Sequence, residues 1–320
     1  MKSKNLSLIK LIIGSIKVAR PLHWIKNFSL FAALIFSGGL FNPVLFATAF
    51  WGFVSFNFAA SATYIFNDFR DIKHDKLHPI KKNRPLAAGT IPVNIALLEM
   101  LFFVLLSINV AVNFVNPLFT TAVISYFLLQ FFYSLILKNW PTIDILVIAL
   151  GFIIRVYAGA IAVDAHLSVW FLLCVISVAL FLASGKRRSE LNILNTTKIV
   201  TRNSLSKYKR ELLNSYVTMF GNAAWMSWAL FTFFESPEAP MPVWLFLAEI
   251  SRTTTISKLM MITIPVVIFA IMRYQSLIFA GKSEAPELVL LKDKPLVLSI
   301  VIWISLVVWV IYYSSTALIT

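Results

Sequence analysis

VLFATAFWGFVSFNFAASATYIFNDFRDIKHD, residues 44–75, is an apolar run that passes without a break into Asn67-Asp68-Phe69-Arg70-Asp71-Ile72-Lys73-His74-Asp75. Its first part, 44–66, matches the roughly 20 residues an α-helix needs to cross a bilayer. Its second part is an N-D-x-x-D-x-x-x-D string. If helical geometry continues through the string, Asp68, Asp71 and Asp75 fall at i, i+3 and i+7 on one face, with Asn67 one turn before Asp71. Carboxylates clustered in this way repel one another unless a cation bridges them. Mg²⁺ suits the task, because it takes one or two carboxylates and completes its shell with water and substrate phosphate oxygens. The alternative is a solvated acidic loop neutralised by Arg70, Lys73 and Lys76.

Composition sets the class around that string. The chain is 59% hydrophobic and 13% charged, with a mean hydropathy of +0.83, values outside the range of water-soluble domains. Apolar stretches at 26–41, 44–66, 92–113, 117–137, 143–163, 168–185, 212–233, 256–280 and 296–316 predict an all-α polytopic membrane protein. The expected architecture is about nine transmembrane helices around a central cavity open to the cytoplasm. The chain is read as one transmembrane domain, 26–320, behind an amphipathic surface segment, 1–25. In that segment Leu6, Leu8, Ile9, Leu11, Ile12, Ile13 and Ile16 alternate with Lys4, Lys10 and Lys17. A cleaved signal peptide fits less well, since Lys10 interrupts the apolar core and no small-x-small site follows. The lone cysteine, Cys174, excludes an intrachain disulfide and a thiolate metal cluster.

The charges give the chain an orientation. Of 28 Lys and Arg residues, all but Arg155, Arg252 and Lys258 lie in the amino-terminal segment, in the loops after the second, fourth, sixth and eighth helices, or at the end of the eighth. By the positive-inside rule those regions are cytoplasmic, and the protein is expected in the cell membrane with its amino terminus and active site facing the cytosol. The net charge of +14 therefore belongs to one face. It meets anionic lipid headgroups, and no nucleic-acid partner is expected.

Polar chemistry is confined to the cytoplasmic loops. After the acidic string come Lys76, Lys81, Lys82 and Arg84, a sequence that fits a diphosphate held by metal on one side and cations on the other; the planar fork of Arg84 is best shaped to grip it. Lys81 and Lys82 serve equally well as plain anchors. Between the sixth and seventh helices lie Gly185-Lys186-Arg187-Arg188-Ser189-Glu190-Leu191 and then Asn203, Ser204, Lys207, Tyr208, Lys209 and Arg210, a basic site that calls for phosphorylated ligands or acidic headgroups. Gly185-Lys186 is not a P-loop, because the flanking glycine spacing and hydroxyl residue are missing. Arg155, deep in a helix, is expected to face an internal cavity and meet an anion or carboxylate. Asp144 lies about 16 Å away along the axis, too far for direct pairing; Glu99 is the other candidate. The last cytoplasmic loop, with Arg273, Tyr274, Gly281, Pro286, Glu287 and Asp293, is a candidate closing element.

Taken together, these residues resemble the UbiA superfamily of intramembrane prenyltransferases, whose signature is the string at 67–75. Ordinary members carry a second aspartate-rich motif after the sixth helix; here Gly185-Lys186-Arg187-Arg188-Ser189-Glu190 stands in its place. The chain is similar to the decaprenyl-phosphate phosphoribosyltransferase branch. The likeness is carried by Arg20-Pro21-Leu22-His23-Trp24-Ile25-Lys26-Asn27, Ala60-Ser61-Ala62-Thr63-Tyr64, Arg84-Pro85-Leu86-Ala87-Ala88-Gly89, Tyr133-Ser134 with Leu137-Lys138, Arg155 with Ala158-Gly159, Gly185-Lys186-Arg187 with Glu190-Leu191, and Arg273-Tyr274 with Pro286-Glu287. The resemblance implies Mg²⁺-dependent transfer of 5-phosphoribose from phosphoribosyl diphosphate to a polyprenyl phosphate, within cell-envelope biosynthesis. It implies catalytic, metal-holding roles for Asp68, Asp71 and Asp75, and substrate contacts from Lys26, Asn67, Arg84, Tyr133, Lys138, Arg155, Lys186, Arg187 and Glu190. A homo-oligomer is compatible with it. Two other readings stay open: a conventional prenyltransferase with an aromatic acceptor, and a polyprenyl-phosphate carrier without enzymatic activity.

Overall fold

The computed structural model describes residues 8–78, 80–197, 205–235, 259–280 and 292–313. Expectations for Lys198, Asn203, Ser204, Arg252, Lys258 and the loop residues 281–287 lie outside them. The described secondary structure is helical throughout. Seven helices are long and apolar enough to cross a membrane: Pro43–Leu77, Val93–Phe114, Pro117–Leu135, Ile143–Ala162, Val169–Asn192, Leu259–Phe279 and Lys294–Tyr312. The expected nine spans are thus not all met among the described residues. The segment at 26–41 is a 3-10 stretch, Pro21–Leu30, followed by the six-residue α2, Phe31–Phe36. The segment at 212–233 is the 25-residue α9, Arg210–Phe234, whose apolar character is diluted by Arg210, Glu211, Asn214, Ser215 and Asn222.

The chain divides into two compact units. The first takes in residues 1–34, 42–165 and 191–208. At its centre is α3, Pro43–Leu77, which packs against the short α4 (Pro85–Ala88), α5 (Val93–Phe114), α6 (Pro117–Leu135), α7 (Ile143–Ala162), the 3-10 stretch and the amino-terminal α1 (Leu8–Ala19). Proline at the first turn and an asparagine cap start α3 and α6 cleanly: Asn42 accepts from the backbone N–H groups of Val44 and Leu45, and Asn116 from that of Phe119. Between α3 and α5 the hydroxyl of Ser55 donates to the carbonyl of Ser107 at 2.9 Å, so two small buried residues allow close approach. Gly159 of α7 lies directly against the 3-10 stretch; a Cβ there would sit 2.0 Å from the carbonyl oxygen of Leu30. On α1, Ile9, Ile12, Ile13 and Ile16 are exposed while Val18 is buried, as a lipid-facing surface helix requires.

The second unit comprises residues 35–41, 166–190 and 209–320. Its described core gathers Phe181 of α8 (Val169–Thr197), Val217 of α9, Tyr274 and Ile278 of α10 (Ile264–Phe279) and Leu296 of α11 (Lys294–Val308). The Tyr312 hydroxyl donates to the Ile35 carbonyl and accepts from the Leu40 N–H, satisfying backbone freed where the chain breaks after α2.

Candidate active site

The helix does continue through the acidic string. At about 1.5 Å per residue α3 is some 52 Å long, well over the roughly 30 Å hydrocarbon core, so its last turns extend past the apolar part. Those turns are two-faced. Arg70, Lys73, His74 and Lys76 are exposed, whereas Asp68 and Asp75 are only 2% and 4% exposed and Asp71 is partly buried. The solvated-loop alternative fails on this geometry, since the neighbouring bases point away from the acids.

Residues distant in sequence neutralise the carboxylates instead. Arg20 donates through Nη2 to both oxygens of Asp68, at 2.6 and 2.7 Å. Arg84 places Nη1 between two acids, 3.0 Å from Asp68 Oδ1 and 2.7 Å from Asp75 Oδ2. Lys138 donates to Asp71 Oδ1 at 2.5 Å, while Asn67 donates to the other Asp71 oxygen at 3.2 Å and receives Ser134 at 3.4 Å. Tyr133 is buried on the turn before Lys138.

Among the described residues no three carboxylate, histidine or cysteine side chains converge in a way that could hold a metal ion. Asp71 is paired with Lys138, while Asp68 and Asp75 share Arg84; the expected three-carboxylate metal set is carried forward as a proposal. The pair that shares Arg84 fits magnesium. Two hard carboxylates converge on one point, and a guanidinium nitrogen, standing in for a cation, occupies it.

Arg155 is buried, and its expected acidic partner is absent from its hydrogen bonds. Nε donates to Asn27 Oδ1 at 2.6 Å, Nη1 to the Gly151 carbonyl at 2.6 Å and Nη2 to the Tyr126 hydroxyl at 2.7 Å, with the guanidinium 4.7 Å from the centre of the Tyr126 ring. Asn27 in turn donates to Asn57 on α3. Neutral acceptors thus solvate the cation and tie the 3-10 stretch, α3, α6 and α7 together. Lys26, next to Asn27, is half-buried. Asp144, fully buried at the start of α7, accepts from the Tyr208 hydroxyl at 2.6 Å, and that hydroxyl also accepts from the Thr142 N–H. Thr142 stands at φ 69, ψ −49 and Ile143 N–H bonds the Pro141 carbonyl at 2.8 Å, the strained form of the three-residue γ-turn.

In the second unit, the carboxyl-terminal half of α8 is basic and largely buried. Arg187 is 1% exposed and paired with Glu190; Arg188, 2% exposed, donates through Nε to Asn214 of α9 at 2.5 Å and lies 5.8 Å from the centre of the Phe279 ring. Lys186 is half-buried. Gly185 permits this end to approach Tyr274, whose hydroxyl would lie 2.7 Å from an added Cβ. Arg273 grips Asp293 with two bonds, at 3.0 and 2.7 Å, while Asp293 caps α11 by accepting from the Leu296 N–H. Hydrogen bonding from Arg273 holds the Asp293 carboxyl below its ordinary 3.8.

Two residues of the site were given no site role from sequence, Arg20 and Tyr126, and Tyr208 was placed with the basic loop and not with Asp144. Arg20 had a signal, since a cation directly after an apolar surface helix is readily aimed back at the membrane boundary. It adopts φ 54, ψ 58, a left-handed conformation unusual for a residue with a Cβ, and its guanidinium also lies 5.3 Å from the Tyr64 ring centre.

The UbiA prenyltransferase family matches residues 28–248. The decaprenyl-phosphate phosphoribosyltransferase of Corynebacterium glutamicum is 34% identical over 302 residues, 93% of this chain and 87% of that protein. The protein of the same name from Mycolicibacterium smegmatis is 33% identical over 314 residues, 95% of this chain and 94% of its own length. A UbiA homolog from Archaeoglobus fulgidus, solved bound to GPP and Mg²⁺, superimposes with a TM-score of 0.66 at 21% identity, covering 93% of this chain and 99% of that one.

Proposed function

Since the chain belongs to the UbiA prenyltransferase family, we propose that it transfers 5-phosphoribose from phosphoribosyl diphosphate to a polyprenyl phosphate, releasing diphosphate, with both polar ends on the cytoplasmic side of the membrane. The observation that carries this reading is the basic end of α8. Where a donor's second diphosphate-binding acidic motif is expected, the chain buries Arg187 and Arg188 and fixes them with Glu190 and Asn214. A neutral aromatic acceptor has no use for those cations, whereas an anionic lipid phosphate does. The names of the relatives covering nearly the whole chain agree with it.

In this reading Asp68, Asp71 and Asp75 would hold a magnesium ion, which when bound neutralises charge on the leaving diphosphate. Arg84 reaches the same point from the following loop, so its donors can pass to diphosphate oxygens as a metal takes that point. Lys138, on the short 3-10 turn Leu137–Asn139 ahead of α7, holds Asp71 and with it the helical face that carries the other two acids. As the bond from ribose C1 to the diphosphate oxygen breaks, the ribose takes on oxocarbenium character, and an oxygen of the lipid phosphate forms the new bond to C1. That oxygen is ionised at neutral pH and requires no strong general base. Lys186, Arg187 and Lys26 are assigned to positioning anionic groups, so proximity and fixed charge carry the catalysis. Arg155, surrounded by neutral acceptors, is assigned to holding Asn27 and hence the strand of chain bearing Lys26.

The test is to incubate purified protein with labelled phosphoribosyl diphosphate and a polyprenyl phosphate, and separately with a prenyl diphosphate and 4-hydroxybenzoate. A labelled lipid product from the first pair alone is expected. Product from the second pair alone would establish conventional prenyl transfer, and no product from either would favour a carrier.

A further inference from the structure

Resting on the reading above, the geometry points to Arg84 and Arg20 as specificity-determining residues that make the acidic end of α3 select a metal–diphosphate complex over a free divalent cation. Each of the three carboxylates already has a cationic partner: Arg20 and Arg84 on Asp68, Arg84 on Asp75 and Lys138 on Asp71. The charges of these six side chains cancel, and Lys81 adds positive charge within electrostatic reach of Asp75. A bare divalent cation entering here meets no uncompensated negative charge. To reach the point shared by Asp68 and Asp75 it must displace Arg84 Nη1, leaving two extra positive charges beside carboxylates that are 2% and 4% exposed, where the dielectric is low and like charges repel strongly.

A cation arriving on a diphosphate changes that balance. The anion brings several negative charges and many acceptor oxygens, so the guanidinium displaced from Asp75 and Asp68 exchanges one set of oxygens for another and stays paired throughout. Arg20 makes Asp68 the stronger lock. It holds both oxygens from a left-handed backbone position at the head of the 3-10 stretch, where neighbouring structure fixes it. Asp75, whose ion pair is with Arg84, is the oxygen donor that frees first.

The experiment follows Mn²⁺ bound to the purified full-length protein by its immobilised electron paramagnetic resonance signal, with and without inorganic pyrophosphate. Wild type is expected to bind Mn²⁺ at least about tenfold more tightly with pyrophosphate than without, the factor that one charge-assisted hydrogen bond supplies. Arg84→Gln is expected to gain free-Mn²⁺ affinity by a similar factor and to lose most of its dependence on pyrophosphate; Arg20→Gln should move the same way by less. Equal Mn²⁺ affinity with and without pyrophosphate in wild type overturns the inference and leaves the metal assignment intact, and so does an unchanged Arg84→Gln. If Arg84→Gln does not fold, the wild-type comparison and Arg20→Gln still decide it. Binding that survives in an Asp68→Asn, Asp75→Asn double variant would instead overturn the reading of the acidic end, and the inference with it.

Discussion

The Tyr208 hydroxyl donates to Asp144 at 2.6 Å, joining the 3-10 turn at 205–207 to the buried start of α7. The same oxygen receives the N–H of Thr142, so one hydroxyl holds both sides of a strained turn that sits four residues after Lys138. Tyr208→Phe removes only this oxygen. It leaves a buried carboxylate short of a donor and a backbone N–H short of an acceptor, each a loss of roughly 1–3 kcal/mol. A lower melting temperature in detergent is expected, together with weakened substrate saturation as Lys138 shifts. An unchanged melting temperature would show that water or another donor replaces the hydroxyl.

The two acids bridged by Arg84 are expected to respond differently to neutralisation. Asp68→Asn strips Arg20 of its bidentate partner and Arg84 of one acceptor, while after Asp75→Asn the guanidinium of Arg84 still has Asp68. Removing one member of a buried pair costs about 3–5 kcal/mol, and less here because the Arg20 and Arg84 side chains are 17% and 23% exposed. Both variants should lose transfer activity, but Asp68→Asn should be the less stable protein by thermal unfolding. Full activity in either variant, or in a chelator, would remove the acidic end from the chemistry.

Lys186→Ala should raise KM for one phosphorylated substrate, or lower kcat if the contact forms late, by roughly 1.5–3 kcal/mol in the corresponding free energy. Lys198→Ala, at a nearby lysine expected from sequence to meet lipid headgroups, should do little. Steady-state kinetics on both variants in the same lipid settle it: equal small effects would make the basic turn an anchor only.

The Arg273–Asp293 pair predicts a dependence on acid. Its carboxyl has a folded-state value depressed below 3.8, chiefly by the hydrogen bond from Arg273. A group of this kind contributes stability above its unfolded value, and the contribution is lost as pH falls through the folded one. Asp293→Asn keeps a side chain able to cap α11 and removes the charge alone. The melting temperatures of wild type and variant should differ slightly at neutral pH and converge as pH is lowered past 3.8. A constant gap would assign the difference to capping.

Helix identity and the facing of the acids could be read from the sequence because both follow from a local period: Asp68, Asp71 and Asp75 recur at helical spacing, and the bases between them fall on the opposite side. Partners could not. Arg20 lies 48 residues from Asp68 and Lys138 lies 67 from Asp71, separations at which no periodicity links the positions. Arg155 shows the same limit from another side. An intramembrane cation signals that something must solvate it, but a carboxylate is only one solution, and here amide, hydroxyl and carbonyl oxygens do the work. The segment at 26–41 differs from a single long helix because the chain there is a 3-10 stretch and a six-residue helix, and composition is blind to how a segment is wound.

One unbroken α3 carries both the apolar span and the carboxylates, with no hinge between Asn42 and His78. The height of the acids above the hydrocarbon therefore depends on how the whole rod is seated in lipid. Residues 43–66 cover about 36 Å, more than a typical hydrocarbon core of roughly 30 Å, so the rod must tilt, and tilt further in a thinner bilayer. Membrane thickness thereby becomes a dial on reaction rate: lipids of different tail length should change turnover while leaving the protein's fold and its affinity for the soluble substrate as they were.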